Sequence, residues 1–222
     1  GQLGENTTTY SSVPVRLGTG AGGATSYPSL SGVNIARSIS GGNNTYCAGT
    51  DTGVVCWGAS DSYELGRTGV TGSSARPEPT TSSADIFSTG VTSLDVGWFT
   101  VCAVAKKDSK LYCWGNGTAG QFGDAVSRSA TPTPEAVPGS GYVAVAISFD
   151  TVCASTSAAV PVTCWGKDSF GGLGRGTSGT SLSGPATVAD PNFVLSRTAI
   201  LDLAGYRNGA FCALNDRGSI AC

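Results

Sequence analysis

One string of residues, present three times, constrains this chain more than anything else in it. Val55-Cys56-Trp57-Gly58 leads to Tyr63-Glu64-Leu65-Gly66, and Tyr112-Cys113-Trp114-Gly115 leads to Gly120-Gln121-Phe122-Gly123. Thr163-Cys164-Trp165-Gly166 leads to Gly171-Gly172-Leu173-Gly174, and in every copy six residues separate the Cys from the four-residue turn. Self-similarity at a fixed spacing marks a repeat architecture, in which each unit buries its apolar face against its neighbour.

The cysteines follow the same repeat. All eight fall into four couples, 47/56, 102/113, 153/164 and 212/222, separated by 9, 11, 11 and 10 positions. Each couple brackets a turn between two strand-like runs, such as Val101-Cys102-Ala103 and Tyr112-Cys113-Trp114. Directly opposed residues of an antiparallel pair lie about 4.5–5.5 Å apart at Cα, within disulfide reach. The spacing therefore predicts four bridges inside hairpins: Cys47–Cys56, Cys102–Cys113, Cys153–Cys164 and Cys212–Cys222. Each closes a loop of roughly ten residues, worth about 2.7 kcal/mol in the chain-entropy account. Zinc is a poor alternative, since the chain has no Cys-x-x-Cys and no His. Four bridges imply an oxidising compartment, hence a secreted or cell-surface location.

Aligned on the couples, the chain divides into units at approximately 1–57, 63–114, 120–165 and 171–222, within one repeat domain. Successive first cysteines lie 55, 51 and 59 residues apart. Within a unit the turn is followed by a polar loop and then a Pro-bearing segment: Val13-Pro14-Val15, Pro77-Glu78-Pro79, Pro132-Thr133-Pro134 or Pro185-Ala186-Thr187-Val188. Proline lacks the ladder N–H, so these segments read as edge strands. A more apolar run comes next, at 33–39, 91–96, 142–147 or 199–203, and reads as a buried strand. The two Cys strands complete the set. Four strands per unit, repeated radially, make an all-β propeller of about four four-stranded blades. No window shows helical apolar spacing, and the 33 Gly and 10 Pro fit strands and turns.

The sequence of apolar strand, short turn, Cys-Ala-Val as in Cys102-Ala103-Val104, Tyr112-Cys113-Trp114-Gly115, Gly120-Gln121-Phe122-Gly123 and a Pro segment resembles the regulator-of-chromosome-condensation repeat family. The resemblance covers essentially the whole chain and implies blades of a seven-bladed β-propeller. Its disulfides are similar to those of a secreted type, a group that includes a β-lactamase-inhibitory propeller. One departure is that Thr45, Thr100 and Thr151 stand where family members often carry His. Four units are fewer than the family's seven, and both ends fall inside the same short connector. The expectation is a partial arc or fragment of a larger propeller; a closed four-bladed ring, or closure by pairing with another chain, is the alternative.

The Gly-rich turns resemble phosphate loops only superficially, because no helix and no Lys-Ser/Thr follow. Leu3, Leu65, Phe122 and Leu173 are expected to plug between blades, and Trp57, Trp114 and Trp165 to pack there. Without His, and with the carboxylates Asp95, Asp124, Asp150 and Asp202 scattered singly, the chain reads as non-enzymatic. Asp150 and Asp168 lie in loops and read as solvated surface groups. No cofactor or metal is expected.

The turns before the first Cys strands are better candidates for function: 42–45, 97–100, 148–151 and 205–208. Radial symmetry places them on one face. Trp98, Phe99, Phe149, Tyr206 and Arg207 have the composition of a protein-binding patch, the alternative being that they cover blade junctions. Sequons at Asn6, Asn43 and Asn116 are candidate glycosylation sites. A net charge of −2 argues against a nucleic-acid partner, and no apolar run is long enough to insert in a membrane. The chain thus reads as a structural or protein-interaction scaffold, part of an extracellular matrix or appendage, binding another protein or another copy of itself. A dedicated inhibitor or receptor and a carbohydrate-binding propeller are the alternatives, with a glycan as partner in the latter; guanine-nucleotide exchange fits least.

Overall fold

In the computed structural model, residues 1–13, 36–70, 72–80, 85–157, 162–168, 171–176, 178–179, 182–189, 199–206 and 209–222 are described. Among them the regular structure is all β. Blade one consists of β1 (Ala36–Gly42), β2 (Thr45–Thr50), β3 (Gly53–Gly58) and β4 (Ser74–Pro79). Blade two holds β5 (Val91–Val96), β6 (Thr100–Ala105), β7 (Leu111–Gly117) and β8 (Arg128–Ala136). In blade three these are β9 (Tyr142–Ser148), β10 (Thr151–Thr156), β11 (Val162–Lys167) and β12 (Leu182–Thr187). Blade four contributes β13 (Ile200–Gly205), β14 (Phe211–Asn215) and the short β15 (Ile220–Ala221).

Every sheet is antiparallel and runs from inner to outer strand in chain order, three with four strands and the last with three among the described residues. The apolar runs expected to be buried are the inner strands. For blade one the run 33–39 gives way to Ala36–Gly42, with 33–35 outside the described residues. Of the expected turn 42–45, Gly42 and Thr45 pair with each other at the ends of β1 and β2, leaving Asn43 and Asn44 as the loop. Asn43 takes a φ of 47°, which asparagine tolerates better than most residues in a two-residue hairpin loop.

The Pro segments are outermost: Pro77 and Pro79 in β4, Pro132 and Pro134 in β8, Pro185 in β12. An outer strand has one side without a ladder partner, where a missing N–H costs little. The segment Val13-Pro14-Val15 lies mostly outside the described residues.

The blades form a partial propeller. β5 packs beside β1, β9 beside β5 and β13 beside β9, whereas β13 has no packing of comparable extent against β1 among the described residues. Most of the core lies in the junctions, with a smaller cluster of Ala48, Val55 and Trp57 on the outer face of blade one. Val54 and the Cys47–Cys56 bridge of blade one meet Leu65, Phe87, Leu94, Val101 and Trp114. Val104, Leu111, Cys102 and Cys113 meet Phe122, Val145, Val152 and Trp165. Ala146, Cys153, Val162 and Cys164 meet Leu173, Ile200, Leu203 and Ala213.

All four disulfides form as the spacing predicts, with Cα atoms 4.0–4.1 Å apart. Cys47, Cys102 and Cys153 lie directly opposite Cys56, Cys113 and Cys164.

Candidate interaction face

The repeat string turns out to build the frame of one face. Each indole N–H donates to the second carbonyl of a Gly-x-Leu-Gly-type turn: Trp57 to Gln2, Trp114 to Glu64 and Trp165 to Gln121, each at 2.8 Å. The turn's Leu65, Phe122 and Leu173 are buried between blades as expected, while Leu3, ahead of blade one, is only half-buried. These tryptophans are enclosed and hydrogen-bonded, so they offer no stacking surface.

Thr45, Thr100 and Thr151 have a shared task. Each buried hydroxyl donates to a carbonyl just beyond Cys-Trp-Gly: Ala59 at 2.6 Å, Asn116 at 2.7 Å and Lys167 at 2.8 Å. The N–H groups of the same three residues donate back to Asn44, Phe99 and Asp150 at 2.9, 2.8 and 3.0 Å. Each inner hairpin turn is thereby fixed to the connector that leaves its blade. The intervening Gly58, Gly115 and Gly166 have φ of 99°, 91° and 103°, and a Cβ there would collide with the carbonyl of Asn44, Phe99 or Asp150. Only glycine fits both demands.

On this frame the structure brings together Trp98, Phe99 and Phe149. Gly97 N–H donates to Thr100 O at 2.8 Å and closes the turn that carries Trp98 and Phe99. The Trp98 ring meets Phe149 of the next blade edge-on at 4.5 Å and stacks on Phe99 at 5.9 Å. Trp98 and Phe99 are half-buried, and Phe149 is 37% exposed. The cluster spans the junction of blades two and three, so it both covers that junction and faces solvent. Tyr206 stands on the following turn, 68% exposed. Its N–H donates to Ala210 O at 2.9 Å, and its carbonyl accepts from the Ser148 hydroxyl of blade three. Ser148 Oγ also takes the Gly209 N–H at 2.7 Å, stapling the Tyr206 turn to its neighbour. Arg207 lies outside the described residues.

The sequons differ in what surrounds them. Asn6 is exposed with a φ of 63°. Asn43 is exposed on its turn, but the Thr45 hydroxyl of its sequon is the buried donor to Ala59. Asn116 is half-buried, and its Oδ1 accepts from Thr118 N–H at 2.8 Å and Thr118 Oγ1 at 2.7 Å.

The carboxylates serve the scaffold. Asp95 joins three blades: Oδ1 accepts from Ser40 Oγ of blade one at 2.6 Å, and Oδ2 from Ile147 N–H of blade three at 2.6 Å. Burial pushes its carboxyl above the usual range despite these bonds. Asp150 is pushed up by burial too, opposed by the nearby Lys167. Asp168 does not behave as a solvated surface group: it is buried, with Oδ1 accepting from Leu173 N–H at 3.2 Å. Among the described residues no three His, Cys, Asp or Glu groups converge as a metal site would need.

Sequence reasoning overlooks two arginines. Arg67 is buried, with Nη1 2.9 Å from Glu78 Oε2, and Nη2 donating to the carbonyls of Cys56 at 2.5 Å and Glu78 at 3.0 Å. Arg175 does the same in blade three, donating to the Cys164 carbonyl at 2.7 Å and the Gly184 carbonyl at 3.1 Å. Both follow the last glycine of the connector turn, and that shared repeat position is the signal that marks them. Each guanidinium ties an outermost strand to its neighbour.

The fold and this face define a class: a disulfide-stapled, partial β-propeller with a turn face carrying aromatics. Residues 91–121, which span β5 to the third connector turn, match the Regulator of chromosome condensation (RCC1) repeat. Comparison with curated protein sequences returns no match. Among solved structures, human WBSCR16 superposes with a TM-score of 0.69 at 18% identity, over 83% of this chain and 46% of that one. Yeast RCC1 (Prp20), solved with Kap60, gives 0.68 at 18% identity over 87% and 43%. Prp20p from Saccharomyces cerevisiae, described with its binding to Gsp1p and histones, gives 0.63 at 16% over 78% and 42%. The chain spans less than half the length of these propellers, which it resembles in fold.

Proposed function

We propose that this chain is an RCC1-type propeller arc of the disulfide-bearing secreted kind, acting as a non-catalytic protein-interaction and structural scaffold outside the cell. The observation that carries this reading is the Trp98–Phe99–Phe149 cluster. It is an aromatic surface held across two blades by turns whose backbone is already hydrogen-bonded, so binding loses little conformational freedom there. Tyr206 on the next turn extends the same face. Four disulfides favour an oxidising location, whether matrix, appendage or cell surface. Protein partners agree with the yeast neighbour Prp20, described bound to Kap60 and with binding to Gsp1p and histones. Asn6 is the sequon best presented for a glycan.

The test is capture of native extracellular protein by the oxidised chain and by a Trp98→Ala/Phe149→Ser variant. The variant is expected to lose the captured partner while keeping its circular dichroism and all four disulfides by mass. Equal capture by both proteins refutes the assignment of this face; unfolding of the variant assigns the cluster to packing alone.

A further inference from the structure

The end of blade two opposite the aromatic turn carries a different chemistry. β6 leaves the Trp98 turn at Thr100 and ends at Ala105, so the hairpin joining it to β7 stands at the far end of the blade. That hairpin reads Lys106-Lys107-Asp108-Ser109-Lys110, and all five residues are exposed. The matching hairpins are not basic. They are Asp51-Thr52 in blade one, residues 157–161 without a charge in blade three, and Asp216-Arg217-Gly218-Ser219 in blade four. The chain has a net charge of −2 although this one loop holds three lysines against a single aspartate, so the rest of it is more acidic than the total suggests.

The aspartate does not quench the lysines. Asp108 Oδ1 accepts the Lys110 N–H at 3.0 Å, and Oδ2 accepts the Tyr112 hydroxyl at 2.9 Å. Among the described residues none of the three ammonium groups pairs with a carboxylate. The backbone beneath them is fixed. Ala105 N–H donates to Lys110 O at 2.9 Å, and Ser109 N–H to Ala105 O at 3.0 Å. Lys106 N–H donates to Gly90 O at 3.1 Å ahead of β5, and Ser109 O accepts the Tyr142 N–H of blade three at 3.0 Å. The Cys102–Cys113 bridge closes the same hairpin. A ligand bound here would cost only lysine side-chain freedom, because the loop is already ordered.

We propose that the Lys106–Lys110 hairpin is an anion-binding site that takes an acidic polysaccharide through its sulfate or carboxylate groups. The charge pattern points to that class. Lysine is a compact, hydrated point charge, which attracts anions without the fixed fork by which arginine reads a phosphate. Three such charges in five residues match a short run of anionic groups. The acidic body around them repels a polyanion stiff and long enough to lie across it, such as a nucleic acid. The choice of a polysaccharide rests on the extracellular reading above, whereas the loop itself is independent of the aromatic turns. Because the two sites occupy opposite ends of blade two, a protein partner and a polysaccharide can be held at once.

Titration of the oxidised chain with heparin at several salt concentrations tests it. Affinity should fall with salt at a log–log slope of roughly 2 to 3, as the release of three counterions requires. Lys106→Gln, Lys107→Gln and Lys110→Gln should each lower that slope by about 1, and the triple variant should lose about a hundredfold in affinity. Arg217→Gln, an exposed charge on the matching hairpin of blade four, should leave the slope unchanged. No binding of the wild-type chain at about 50 mM salt overturns the proposal. So does an equal loss in Arg217→Gln, which assigns the effect to net charge. Tighter binding of single-stranded DNA or of phosphatidylserine vesicles than of heparin also overturns it. Absent heparin binding with capture through Trp98 intact strikes this site alone; tighter DNA binding strikes the extracellular reading with it.

Discussion

Glu64 holds the place that Gln121 holds one blade further on. Both side-chain oxygens accept the N–H two residues back, Glu64 from Ser62 at 2.7 Å and Gln121 from Ala119 at 2.8 Å. The carboxylate does this while buried, and burial pushes it from 4.5 to about 6. A raised acid pKa means the unfolded chain gives up its proton first, so stability falls as pH rises through that window and stays lower above it. Glu64→Gln keeps the hydrogen bond without the charge. It should add up to about 2 kcal/mol at pH 7 and nothing at pH 4, read from urea midpoints at the two values. Equal effects at both pH values would rule out the charge as the cause. Gly115 has the opposite character, since nothing can replace it. Gly115→Ala forces a side chain onto the Phe99 carbonyl at a φ of 91° and should destabilise the chain by about 2 kcal/mol or more, measured in the same titration.

Among elements, the Cys hairpins carry the sharpest expectation. Cys102–Cys113 lies in the middle of the arc, covered on both sides, while Cys212–Cys222 is half open to solvent. Thiol exchange needs access to sulfur. Graded reductant with alkylation and mass mapping should therefore open Cys212–Cys222 first; reduction of all four together would contradict this order. Removing Cys102–Cys113 by paired Ser substitutions should cost about 2.7 kcal/mol from loop closure. The hairpins were legible in sequence because cysteine spacing and strand alternation state the same register twice. The outer strands were legible through their prolines. What sequence could not give is which neighbour an element packs on. Asp168 looks like a loop carboxylate until Leu173 N–H is seen above it, and Arg67 looks like a loop cation until Cys56 and Glu78 are seen beside it. The aromatic turns were found by symmetry, yet the 4.5 Å approach of Trp98 to Phe149 depends on how two blades meet.

For the molecule as a whole, stability should run along the arc as in a linear repeat array, because among the described residues the extensive packing of each blade is against its neighbours. Among the described residues, blades two and three are flanked by a blade on each side and blades one and four on one side. Ala48, Val55 and Trp57 on the outer side of blade one are nevertheless buried. Hydrogen exchange should thus be slowest in β6 and β10, whose residues from Thr100 to Ala105 and from Thr151 to Ser155 are buried throughout, and faster in β14. Phe122 supplies the decisive perturbation. It is buried in the junction between blades two and three, against Trp165 and Val137, and truncation to Ala should cost about 3–5 kcal/mol. If that junction is what couples the two halves, Phe122→Ala should do more than lower the midpoint. It should split a single calorimetric transition into two, with amides of blades three and four exchanging ahead of those in blades one and two. A midpoint that falls while the transition stays single would mean that coupling does not pass through this junction alone. The inner-strand bonds of Asp95, which reach from Ser40 to Ile147, would then be the next bonds to cut.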